Sequence, residues 1–165
     1  MRILGIDPGL QTTGWGVVDH RGAKLSYVAS GTIKSHTGNA LYQRLFDLDA
    51  GMQAVIADWQ PETAAIEETF MNNNAASALK LGQARGVVMA APARAGLAVA
   101  EYAPNLVKKA IVGAGHAKKD QVMMMVGTLL PKAGKCGPDE ADALAVAICH
   151  AHNQQSYHKQ MMRKQ

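Results

Sequence analysis

Two cysteines in 165 residues, Cys136 and Cys149, provide no disulfide framework, and their spacing matches no zinc site. Cys149 falls in a helical apolar stripe and reads as a core residue. Aromatic residues are scarce at 5%, with only two phenylalanines, so the placement of each is informative. No apolar run approaches the length a bilayer requires. Gly5 and Asp7 interrupt the first apolar run too early for a signal-peptide core, so the expected location is cytoplasmic. There are no internal repeats, low-complexity tracts or linkers. The chain also lacks a second, phosphate-cradling glycine motif and the length for two lobes, which argues against an actin-like sugar kinase despite a Gly-Ile-Asp start. The expectation is one domain over residues 1–153 followed by a basic flexible tail, 154–165.

Hydrophobic residues at 48% and charged residues at 18% suit an ordinary globular core. The net charge of +4 is unevenly spread. From Lys80 onward there are 12 Lys and Arg against 5 Asp and Glu, whereas the preceding part has 5 against 8. A basic half suits a polyanionic partner.

Alternation and turn residues predict three meandering strands: residues 2–7, then Thr12–Asp19, then Lys24–Ile33. Leu41, Leu45, Leu48, Met52, Val55 and Trp59 recur at helical spacing, and Pro61 stops that helix. Thr63–Glu67 is a short apolar strand. After the asparagines 72–74, a helix over 75–91 offers Leu79, Ala84 and Val88 as a core stripe, with Pro92 ending or kinking it. A fifth strand at 97–102, a helix opened by Pro104 and running to Val112, a break at Gly113 and Gly115, a helix over 118–130 and a last helix over 139–153 complete the order. This implies an α/β fold whose five-stranded mixed sheet combines a three-stranded antiparallel meander with two parallel strands. Helical crossovers then place helices on both faces.

Four acids stand where acids are usually avoided. Asp7 ends the first strand, Glu67 ends the apolar strand, and Asp139 and Asp142 lie three residues apart on an alanine-rich helix. The i, i+3 spacing puts both aspartates on one helix face. Carboxylates gathered this way repel each other unless a cation joins them, and oxygen ligands without cysteine or a histidine set favour Mg²⁺ or Mn²⁺. Two ions about 3.5–4 Å apart can serve both sides of one phosphodiester. Strand alternation alone leaves open whether Glu67 or Glu68 faces the site.

Gly5-Ile6-Asp7-Pro8-Gly9, Ala65-Ile66-Glu67-Glu68, the run Ser77 to Gly86 and Asp139 to Ala145 together resemble the RuvC family of bacterial Holliday junction resolvases, over about Met1 to His152. The resemblance implies a ribonuclease H-like fold and a homodimeric endonuclease. Such an enzyme cuts two opposed strands of a four-way DNA junction, leaving ligatable 5′-phosphate nicks in recombination and repair. It implies Asp7, Glu67, Asp139 and Asp142 as ligands of Mg²⁺, with two ions expected per active site, and favours Glu67 over Glu68. It also implies Lys108 and Lys119 as phosphate contacts near the reaction, with Lys119 counted as catalytic, and Phe70 as a base-stacking DNA contact. RuvA and RuvB branch-migration proteins are the implied partners. Lys80 and Arg85 are left between dimer and DNA contacts. Competing readings are another ribonuclease H-like hydrolase acting on RNA or flaps, and a junction-binding scaffold that holds no metal.

Overall fold

The computed structural model describes residues 1–69, 74–115 and 117–162, with only the helical backbone described for 154–162. Phe70 and His116 therefore lie outside the described residues. Strands β1 (Arg2–Asp7), β2 (Thr12–Arg21) and β3 (Lys24–Lys34) form the expected antiparallel meander. Strand β4 (Thr63–Glu67) lies parallel to β1, and β5 (Ala98–Tyr102) parallel to β4. The sheet order is β3-β2-β1-β4-β5, which puts β1 at the centre, flanked by β2 and β4.

Side-chain alternation divides the core between the two faces. Leu4, Ile6, Val17, Ala64 and Ile66 pack against α1 (Leu41–Trp59) and α2 (Ala75–Arg94). Ile3, Val18, Ala65, Ala100 and Tyr102 face α3 (Pro104–Val112), α4 (Lys119–Leu129) and α5 (Pro138–Met162). The architecture is ribonuclease H-like, with helices on both faces.

Local chemistry explains most boundaries. The Asn74 side chain accepts the Ser77 N–H at 3.1 Å and so caps α2. Pro104 occupies the first turn of α3, where a missing N–H costs nothing, and Gly113 ends that helix with φ of 80°. Three expectations need correction. Pro92 lies inside α2 rather than ending it, and the helix runs on to Arg94. Leu79 is 66% exposed. The buried stripe runs through Ala84, Val88 and Ala91, and Leu79 lies about 140° around the helix from Ala84. The last helix continues past Asn153 to Met162, through a stretch without glycine or proline to break it. Residues 154–162 are thus helical backbone rather than an irregular tail.

Candidate active site

Asp7 and Glu67 end adjacent parallel strands, and the alternation that buries Ile3 and Ala65 against α5 points both acids to that same face. Glu67 is thereby the acid of its pair carried on the α5 side, as the resemblance implied.

Helix α5 brings the aspartates to them. Its residues 143–150 are buried throughout, so the helix crosses the sheet as a core element. Small residues make that approach possible. A Cβ at Gly14, the β2 partner of Asp7, would overlap the carbonyl of Asp139. One at Gly5 would overlap the carbonyl of Ala143. Two glycines in neighbouring strands thus seat the first turns of α5 directly on the sheet. Ser30 on β3 donates to Glu140 at 2.9 Å and secures the same end of the helix.

All four acids are half-buried, and Asp7 feels the charges of the other three. Burial pushes the Asp7 carboxyl up to about 7, reinforced by Asp142, Glu67 and Asp139, with Lys119 pulling the other way. Glu67 is also raised, mainly by burial and then by Asp142, against the opposing charges of Lys108 and Lys119. Among the described residues, no three carboxylate, imidazole or thiol groups are already drawn tightly enough together to hold an ion. The donor set is nevertheless all oxygen, and its members interact across three separate stretches of chain. An all-oxygen donor set of this kind suits a hard divalent cation.

The cation the chain supplies itself is Lys119, whose Nζ is 2.8 Å from Asp142 Oδ2. This bond is the main reason its ammonium is raised, with Asp142, Asp7 and Asp139 adding to it electrostatically. Lys119 opens α4, and Lys108 reaches the same place from α3. Glu67, Asp142, Lys108 and Lys119 line one cavity of about 310 Å³ together with Val107 and Val122. Acids and lysines lining one cavity can orient a phosphate while keeping its negative charge tolerable.

The sequence model of the family described as crossover junction endodeoxyribonuclease RuvC matches residues 3–150. This chain belongs to the RuvC family. A RuvC crossover junction endodeoxyribonuclease from Sinorhizobium medicae is 55% identical over 156 residues, covering 94% of this chain and 93% of the relative. Another from Azorhizobium caulinodans is 58% identical over 153 residues, covering 93% and 90%. Among solved structures, RuvC from Thermus thermophilus matches with a TM-score of 0.85 at 34% identity, covering 95% of this chain and 97% of that one. The T. thermophilus RuvC in complex with Holliday junction substrate gives a TM-score of 0.87 at 35% identity, covering 95% and 96%. The yeast mitochondrial Holliday junction resolvase Ydc2, 11% identical with a TM-score of 0.65, shares the fold.

Within this RuvC framework, Asp7, Glu67, Asp139, Asp142 and Lys119 come together, and Lys108 lines the same cavity as Glu67. Arg85, which the sequence leaves unassigned between dimer and DNA contacts, donates to the Glu67 carbonyl and to the Glu101 carboxylate. Sequence reasoning also passed over Gly14 and Ser30. The glycine alternation at 14 and 16 within a strand was the available signal for the first. Ser30 left none.

Proposed function

We propose that the protein resolves four-way DNA junctions by metal-dependent phosphodiester hydrolysis at the Asp7–Glu67–Asp139–Asp142 cluster. The observation that carries this reading is the meeting of four half-buried acids from β1, β4 and α5, with Lys119 against Asp142, in a chain of the RuvC family. Mg²⁺ or Mn²⁺ would be held by these carboxylates and, bound as a pair of ions, would supply activation of the attacking water and stabilisation of the leaving oxygen.

The chain's own groups do the rest. Lys108 and Lys119 bind phosphate oxygens in the cavity they share with Glu67 and Asp142. Lys119 exchanges its bond to Asp142 for the phosphate and offsets the charge that develops there. The apolar side chains of Val107 and Val122 in the same lining strengthen these contacts by limiting water.

A junction with two-fold symmetry asks for two sites related by the same symmetry, which a homodimer supplies. Tyr42 at 73% and Phe46 at 69% exposure on α1, with Leu79 on α2, give an apolar surface suited to self-association. It lies on the sheet face opposite the carboxylates, leaving those open to DNA. The partnership with RuvA and RuvB and the stacking role of Phe70 rest on the family resemblance alone, and a cytoplasmic location rests on the early interruption of the first apolar run by Gly5 and Asp7. Among the described residues no helix is long and apolar enough to cross a membrane.

The test is cleavage of a mobile four-way junction, a duplex and an RNA–DNA hybrid, in Mg²⁺ and in Ca²⁺, with cut sites mapped on both strands. Paired nicks in opposed junction strands, made in Mg²⁺ only, are expected. Equal cutting of duplex or hybrid would point to another hydrolase of this fold. Tight junction binding without cutting in Mg²⁺ would leave a scaffold.

A further inference from the structure

Glu67 ends β4, where pairing with β5 continues to Tyr102 but the ladder to β1 stops at Ile66. Met1 and His20 exchange both backbone bonds, at 2.9 and 2.8 Å, so odd-numbered residues of β1 turn their peptide groups to β2 and even-numbered ones to β4. Extending the Ile6–Ile66 register by one step sets Glu67 beside Asp7. The ladder donor for the Glu67 carbonyl would then be the N–H of residue 8, and residue 8 is proline. A strand-end carbonyl without a donor leaves the following peptide free to rock, and with it the acid.

Arg85 fills that gap. Its Nε donates to the Glu67 carbonyl at 3.0 Å, and its Nη2 donates to Glu101 Oε2 at 2.5 Å. The Arg85 side chain is only 15% exposed although it sits at the sheet's edge of order, across from the solvent-facing Glu101. The same peptide is held from its other end, since the Glu68 N–H donates to the Tyr102 carbonyl at 2.9 Å. One peptide plane, immediately after Glu67, is therefore gripped at both its oxygen and its nitrogen.

We propose that Arg85, oriented by Glu101, is a positioning residue that fixes the Glu67 carboxylate for ion binding by clamping the Glu67–Glu68 peptide. This rests on the metal site proposed above. Arg85 comes from α2, on the sheet face away from the other acids, so it sets the direction of Glu67 without adding a side chain to the reaction cavity. A planar guanidinium reaches both acceptors at once, which a lysine ammonium on a flexible stem does poorly.

The experiment compares the full-length parent with R85Q, R85K and E101Q by three measurements. These are Mn²⁺ binding by calorimetry without DNA, hydrogen exchange at the Glu68 amide without metal, and junction binding without metal. Removing a group that orients a ligand typically weakens metal binding about 10–100-fold. R85Q is expected to fall in that range, with R85K intermediate and E101Q a smaller loss in the same direction. Glu68 exchange should quicken in the same order, while junction affinity stays within about twofold of the parent, since no phosphate contact is removed. Unchanged Mn²⁺ affinity and Glu68 exchange in R85Q would overturn the proposal. So would lost junction binding with unchanged Mn²⁺ affinity, which would make Arg85 a DNA contact. If R85Q does not fold, E101Q decides: parent-like Mn²⁺ affinity and Glu68 exchange there overturn the clamp. A parent that binds no Mn²⁺ sinks the metal reading instead, and the exchange comparison still reports on the clamp.

Discussion

Lys119 Nζ rests 2.8 Å from Asp142 Oδ2, with the two side chains 55% and 30% exposed. At that exposure the pair adds at most about 1 kcal/mol to stability, so Lys119 can leave Asp142 for a phosphate at little cost. Lys119→Ala should slow single-turnover cleavage by about 10²-fold, as expected for loss of one charge-stabilising donor, while junction affinity falls far less. Rapid-quench cleavage and binding in Ca²⁺ separate the two effects. A loss confined to affinity would remove Lys119 from the reaction and leave it a DNA contact.

Asp7 feels Asp142, Glu67 and Asp139 together, which makes it the acid most coupled to the rest of the cluster. Asp7→Asn keeps the shape, removes one negative charge and weakens the ion's grip. Cleavage in Mg²⁺ should drop by about 10³-fold or more, corresponding to several kcal/mol of lost ion chemistry. Junction binding without metal should hold or tighten, because one repulsive charge beside the phosphates is gone. Cutting at the parental rate would take Asp7 out of the site.

The same residue sets a pH dependence. The Asp7 carboxyl has an ordinary value of 3.8 and is pushed up to about 7 in the folded chain, so folding favours its protonated form. Its contribution is therefore fully present below about 4 and is lost as pH rises through about 7. In chelator, the parent should lose stability relative to Asp7→Asn over that window, by on the order of 2–3 kcal/mol once solvent access is allowed for. Urea unfolding of both proteins at pH 5 and pH 8 measures the difference. A gap that does not widen with pH would show that Asp7 is not held in a proton-binding environment. Ion binding should displace that proton, so Mn²⁺ affinity should rise between pH 6 and 8.

Much of this architecture could be read from local chemistry. Pro61 after α1, Pro104 at the start of α3 and Asn74 before α2 each act through a neighbouring bond, and those boundaries fell where expected. The four acids were conspicuous because they interrupt apolar runs. What could not be read depends on contacts between distant residues. Leu79 is apolar yet points outward, because the direction of α2 is fixed by Ala84 and Val88 docking on the sheet. The sequence leaves Arg85 between dimer and DNA contacts. Only the register of β1 against β4, and the proline that interrupts it, shows why a carbonyl there calls for a guanidinium.

The seating of α5 on glycine gives a prediction that separates packing from chemistry. At Gly14 an added methyl meets the Asp139 backbone, which cannot swing aside as a flexible side chain would. At Gly127, inside α4, the same methyl meets nothing within 4 Å. Gly127→Ala should therefore leave cleavage unchanged and stabilise the fold by up to about 1 kcal/mol through helix propensity. Gly14→Ala should destabilise it by about 3 kcal/mol, because relief requires α5 to move off the sheet. That movement carries Asp139 and Asp142 away from Asp7, so the surviving folded protein should also bind Mn²⁺ more weakly at a temperature where it is still native. If Gly14→Ala lowered stability yet left Mn²⁺ affinity at the parental value, the close approach of α5 would serve packing alone, and the spacing of the acids would have to be set elsewhere.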